Sequence, residues 1–186
     1  MFILASTSPR RVEILKKIIP DFKCVKPTFN ESLISKNEEN FALLESKNKA
    51  LSVKNLAKPQ DFLISCDTII FFEGKIIGKP IDKNDAFLTL KKLSNKTHKV
   101  ISGYTILHGE TLISKEVTTE ITFDELSDDF INFYINNFQV LDKAGSYAIQ
   151  DKVIFEKIKK MEGSYYNVMG LPLEDIQIEL EKLNAF

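Results

Sequence analysis

Residues 61–80, DFLISCDTIIFFEGKIIGKP, constrain the fold more than any other stretch. FLISC and TIIFF are short apolar runs of strand length and composition. A Glu73-Gly74 turn separates the second run from KIIGK. The pattern spells two or three strands, with Asp67 expected at the end of a buried one.

Helical patterns lie on both sides of this block. FILA (2–5) reads as a short buried strand. Ser8 then suits an N-cap and Pro9 a first helical position. Val12, Leu15 and Ile19 recur at helical spacing until Pro20, and FKCVKP (22–27) reads as a second strand. Asn37 is placed to cap a long helix reaching about Leu56, with Glu38 and Glu39 at its positive end. Asp82 caps a helix that aligns Ala86, Leu90 and Leu93. The chain is strand-like from Lys99 to Phe123, with a turn at Gly109-Glu110. Ser127 caps a further helix. Leu126 and Ile131 are spaced as a hydrophobic staple, and Phe130, Tyr134 and Phe138 mark its buried face. SYAIQ (146–150) is a strand candidate. Pro172 opens the last helix, lined by Leu173, Ile176, Leu180 and Leu183. Interspersed elements with a long antiparallel-looking middle favour a mixed α/β (α+β) sheet flanked by helices. The length, 186 residues, suits one domain over residues 1–186.

The net charge of -1 gives no reason to expect nucleic acid or a membrane surface as partner. No apolar run approaches the ~18 residues of a membrane span, and no basic leader precedes MFILAS, so a soluble, cytoplasmic chain is expected. Cys24 and Cys66 form neither a disulfide framework nor a metal-ligand spacing. Both read as core thiols. His98 and His108 are isolated from each other, and the P-loop and dinucleotide-binding fingerprints are absent.

Several residues could carry chemistry. In LASTSPRRVEIL (4–15), Arg10 and Arg11 sit at the mouth of a helix whose first amides favour an anion. Two guanidiniums there suit phosphate, and Ser6 and Ser8 add hydroxyls. The bland alternative is a solvated basic turn. Asp67 could hold a divalent metal or act as a general base; otherwise it caps a turn. Glu31 is a candidate second carboxylate. Lys49 and Lys79 are candidate point cations for phosphate, or simply solvated. Gln150 could read a base edge through its amide, or bond backbone. Tyr165 and Tyr166 could stack on a base or belong to the core.

LASTSPRRVEIL, KNKA, SCDTII, GKP, KTHKVISGY, DKAGSYAIQ and GSYYNVMGLPL occur in one order along the chain. This series resembles the Maf family of nucleoside triphosphate pyrophosphatases, over essentially the whole chain. The resemblance implies a fold like that of inosine triphosphate pyrophosphatases: an elongated mixed sheet flanked by helices, with two lobes around a cleft. It implies hydrolysis between the α and β phosphates with Mg²⁺ or Mn²⁺. SPRR and KAGSYAIQ look like the branch acting on dTTP and UTP. By motif, Asp67 matches the proton acceptor and Glu31 a further acidic position, and these two are the candidate metal ligands. Arg10, Thr68 and Gln150 match positions tied to specificity. Ser8, Arg11, Lys49 and Lys79 match residues on the phosphate side. A homodimer is compatible with the family, although no exposed apolar stripe can be assigned to one. One departure stands out: Asp151 follows Gln150 where the family usually has glycine. A pyrophosphatase for 7-methyl-GTP or another modified nucleotide stays open, as does a nucleotide-binding regulator of cell division or septum formation.

Overall fold

The computed structural model describes residues 1–29 and 40–186. Glu31 and the expected Asn37 cap, with Glu38 and Glu39, lie outside the described residues.

The elements run β1 (Phe2–Leu4), α1 (Pro9–Leu15), β2 (Lys23–Cys24), α2 (Phe41–Ser52), β3 (Phe62–Phe72), β4 (Lys75–Ile77) and α3 (Lys83–Leu93). There follow β5 (Thr97–His108), β6 (Thr111–Phe123), α4 (Asp128–Asn137), α5 (Lys152–Phe155), β7 (Ile158–Glu162), α6 (Tyr165–Met169) and α7 (Leu173–Lys182). Seven strands form one sheet in the order β2-β1-β3-β5-β6-β7, with β4 paired to β3. β1 runs parallel to β2 and β3, whereas β3–β4 and β6–β7 are antiparallel. The sheet is therefore mixed and flanked by helices, as expected.

FLISC and TIIFF are one continuous strand of eleven residues, so Asp67 stands in mid-strand and not at a strand end. The burial pattern along β3 gives the reason: Asp67 and Thr68 are a partly open pair with buried residues directly on either side. Glu73 and Gly74 both have positive φ, which makes the two-residue turn that folds β4 back on β3.

The chain divides into two compact units. The first comprises Met1–Thr68, Ser102–Val117 and Tyr166–Phe186. Its apolar centre holds Ile3, Ala5, Ala50, Val53, Leu63 and Leu107, from β1, α2, β3, β5 and the residues that directly follow β1 and α2. Here α2 lies directly on β5: a Cβ at Gly103 would fall 2.2 Å from the backbone oxygen of Ala42. Only glycine permits that approach, which sets the depth of α2 against the sheet. Of the expected final helix, Leu173, Ile176 and Leu180 are buried, and Leu183 is partly so.

The second unit comprises Ile69–Ile101 and Thr118–Tyr165, and α3 packs on α4 within it. Both expected caps form: Asp82 accepts from the Asp85 amide at 2.8 Å, and Ser127 from the Phe130 amide at 3.2 Å. Leu126 and Ile131 are fully buried, as a staple requires. The inner face of α4 is Ile131, Tyr134 and Ile135; Phe130 and Phe138 are only partly covered.

Five local expectations are corrected. SYAIQ is not a strand: a 3-10 turn spans Ala144–Ser146, and Gly145 and Ser146 have φ of 69° and 64°, which no strand allows. FKCVKP contributes only Lys23–Cys24, at the sheet edge, where Cys24 is exposed and not a core thiol. α1 ends at Leu15 instead of continuing to Pro20. Ser8 occupies the N-cap position of α1 but its side chain caps nothing; its own amide donates to Ser6 Oγ at 3.1 Å.

Candidate active site

Residues of β3 alternate between its two faces, so Ser65 and Asp67 share one face and Cys66 and Thr68 the other. The first pair meets α2. Ser65 Oγ donates to the Ser46 carbonyl at 2.6 Å, and Lys49 Nζ donates to Asp67 Oδ1, also at 2.6 Å. Ser46 and Lys49 are three apart on α2 and so project from one side of it. Lys49 is 9% exposed, far from the solvated lysine that most lysines of the chain are. It also lies 3.3 Å from Glu45 Oε2, one helical turn earlier. Glu45 is 1% exposed. Two carboxylates therefore share one ammonium in a largely buried setting, where charges are stabilised only by pairing.

The other face of β3 meets the loop after α6. The Gly170 carbonyl accepts from Arg11 Nε at 2.8 Å, from Thr68 Oγ1 at 3.3 Å and from Cys66 Sγ at 3.3 Å. Thr68 also bonds Ser102 Oγ at 2.8 Å, and Ser102 donates to the Asn167 carbonyl at 3.3 Å. Gly170 has a φ of 117°, a conformation that side chains resist, so the turn at GLPL needs glycine to aim this carbonyl. The Cys66 thiol is buried, which pushes its pKa up; Arg11 and Lys49 oppose the shift and Asp67 adds to it. It is an inert core thiol, as expected of position 66.

Asp67 and Lys49 thus come together, as do Arg11 and Thr68. The two groups stand on opposite faces of one strand, joined through the 67–68 peptide. Ser8 and Arg10 are partly exposed at the start of α1, in the same unit.

Lys79 and Gln150 belong to the second unit, and both are exposed. Their loops touch: the Gly145 amide donates to the Gly78 carbonyl at 3.1 Å. Gln150 leaves a turn, not a strand as expected. Tyr134 holds that turn by two bonds. Its hydroxyl accepts from the Ala148 amide at 3.1 Å and donates to Asp151 Oδ2 at 2.5 Å. Asp151, the departure noted above, therefore directs its carboxylate to Tyr134. Burial pushes the Tyr134 hydroxyl well above the usual phenol range, and its bond to Asp151 adds to the shift. It stays a donor at any ordinary pH.

Sequence reading missed Glu45, which lies in the polar-looking run ESKNK. Its only signal was the i, i+4 spacing to Lys49. Gly170 and Ser102 were also missed as organisers; both lie in quoted motifs.

The model of the family described as Maf-like protein matches residues 1–183. The chain belongs to this family. Similar proteins include the dTTP/UTP pyrophosphatase of Clostridium perfringens strain SM101, 41% identical, with 96% of this chain and 95% of that protein covered. The protein of the same name from Pyrococcus abyssi is 40% identical, covering 98% and 96%. Among solved structures, the Ham1 protein of Staphylococcus aureus matches with a TM-score of 0.53 at 19% identity, over 97% of this chain and 98% of that one. A HAM1 protein from Coxiella burnetii gives the same TM-score at 10% identity, with the same coverage. At these identities the likeness speaks for the fold alone, and it agrees with the expected inosine-triphosphate-pyrophosphatase-like architecture. Among the described residues no helix is long and apolar enough to cross a membrane.

Proposed function

We propose that this Maf-like chain is a nucleoside triphosphate pyrophosphatase that hydrolyses dTTP and UTP to the monophosphate and pyrophosphate. The observation that carries the reading is the Asp67 carboxylate, partly open in mid-strand and paired at 2.6 Å with Lys49. The full-length relatives named dTTP/UTP pyrophosphatase support the reaction and the pyrimidine choice.

A divalent cation fits the donor chemistry. Mg²⁺ is commonly held by one or two carboxylates together with substrate phosphates. Among the described residues no three ligand-type side chains converge, so a site made wholly of protein donors is not built there. Asp67 instead already attracts a cation, the Lys49 ammonium. Asp67 would hold Mg²⁺ or Mn²⁺, with Glu31 as the second carboxylate that the family resemblance suggests. When bound, the ion would neutralise charge on the phosphate oxygens.

The remaining steps belong to the chain's own groups. Asp67 orients a water and takes its proton as the oxygen attacks the α phosphorus in line. The bond to the bridging oxygen breaks and pyrophosphate leaves. Arg11, anchored through Nε, keeps its terminal nitrogens for phosphate oxygens, and Arg10 adds a second guanidinium. Ser8 contributes a hydroxyl. Lys49 and Lys79 are assigned to phosphate charge, Thr68 and Gln150 to specificity. A cytoplasmic location and a homodimer complete the reading.

The test is pyrophosphate release from a panel of normal, methylated and other modified nucleoside triphosphates, with Mg²⁺ or Mn²⁺. The expected result is turnover of dTTP and UTP above the rest, lost in Asp67→Asn. Preference for 7-methyl-GTP overturns the pyrimidine assignment. Tight nucleotide binding without turnover overturns the enzymatic reading in favour of a binding regulator.

A further inference from the structure

The mechanism above leaves Glu45 without a part, yet its placement has a marked energetic consequence. Its side chain is 1% exposed on the inner face of α2, between Ala42 and Ser46, which are both fully buried. A leucine would fill such a position without the desolvation that a buried carboxylate suffers. Glu45 Oε2 stands 3.3 Å from Lys49 Nζ, and Asp67 Oδ1 stands 2.6 Å from the same nitrogen. While Lys49 stays on Asp67, it occupies the group that must receive a water and a cation. A second, buried carboxylate on Lys49's own helix gives the ammonium another place to rest.

We propose that Glu45 is a positioning residue that draws Lys49 off Asp67 when nucleotide and metal arrive. Asp67 is then released for its work while the ammonium stays compensated. The inference rests on the function proposed above, and it assigns Glu45 an effect on the working state of the site and not on substrate affinity.

Glu45→Gln keeps the shape and removes the charge. Glu45→Leu is the apolar companion, so that a folded variant is available in either case. Outer groups that orient a metal ligand typically change activity or metal affinity by about 10- to 100-fold. The expected result is a kcat lowered by about tenfold or more in Glu45→Gln, with KM within about threefold. In the Lys49→Met background the same Glu45→Gln change has little further effect, because the two residues act as one unit. The second readout needs no turnover. Mn²⁺ alone, titrated against the protein and followed by electron paramagnetic resonance, binds about tenfold more weakly to Glu45→Gln than to wild type.

A kcat within about twofold of wild type overturns the proposal, as does unchanged Mn²⁺ binding or a kcat loss repeated in full without Lys49. A wild type that releases no pyrophosphate contradicts the function proposed above instead; the Mn²⁺ titration then still decides the part given to Glu45.

Discussion

Lys49 Nζ and Asp67 Oδ1 meet at 2.6 Å across eighteen residues of sequence, one on α2 and the other on β3. The contact depends on how deeply α2 sits, which the absent side chain of Gly103 permits. A helix displaced outward by one methyl group would carry Lys49 away from the carboxylate.

Lys49→Met removes the cation that both Glu45 and Asp67 share. Breaking a buried pair by deleting one partner leaves an uncompensated charge and costs about 3–5 kcal/mol. Lys49 and Asp67 retain side-chain exposures of 11% and 18%, so we expect the low end, about 3 kcal/mol. Urea unfolding at neutral pH measures it. Glu45→Leu/Lys49→Met should recover only part of the loss, since an apolar pair then replaces Glu45 and Lys49 while Asp67 still lacks the cation.

Arg11→Lys tests the tether to Gly170. Lysine keeps the charge but lacks the planar fork that bonds the carbonyl through Nε and leaves other nitrogens for an anion. The expected fall in kcat/KM is about tenfold or more, in line with one hydrogen bond to a charged group. Arg10→Lys, which disturbs no bond to Gly170, should cost less. Steady-state kinetics of the two variants side by side give the comparison.

His98 makes stability depend on pH. It is 1% exposed, its Nε2 bonds the Tyr147 hydroxyl at 2.7 Å, and burial depresses its pKa from 6.5 to about 4. Between those values the unfolded chain binds a proton that the folded chain refuses. The contribution is thus fully present above pH 6.5 and is lost progressively as pH falls towards about 4. From pH 7 to 5 the loss should be about 2 kcal/mol. Denaturant titrations at both pH values measure it, and His98→Gln should flatten the difference.

The helix caps give a contrast within one class of residue. Ser127→Ala deletes a bond to the Phe130 amide and should cost about 1 kcal/mol. Ser8→Ala deletes no capping bond, so its thermal midpoint should stay close to wild type. Equal losses would contradict the geometry at one of the two helices.

The parts that sequence made legible are those with a strong local cause. Asp82 and Ser127 cap because their side chains have an amide three residues on. The apolar flanks of β3 read as strand for their length and composition. In the sequence Asp67 reads as a strand end because a polar pair between apolar runs looks like a break. Only tertiary packing shows the chain staying extended through it. SYAIQ alternates well enough for a strand, but positive φ at Gly145 and Ser146 turns the chain before it can pair. Glu45 was silent because α2 has a diffuse apolar pattern, and a glutamate among lysines and asparagines reads as surface. The link from Arg11 to Gly170 spans 159 residues and leaves no local trace.

The most direct measurement is UTP turnover in ¹⁸O-labelled water, analysed by mass spectrometry for wild type beside Asp67→Asn. Attack on the α phosphorus by a water that Asp67 activates puts the label in UMP, leaves pyrophosphate unlabelled, and gives no labelled UMP with Asp67→Asn. Label in pyrophosphate or phosphate, or an undiminished rate in the variant, would contradict the account.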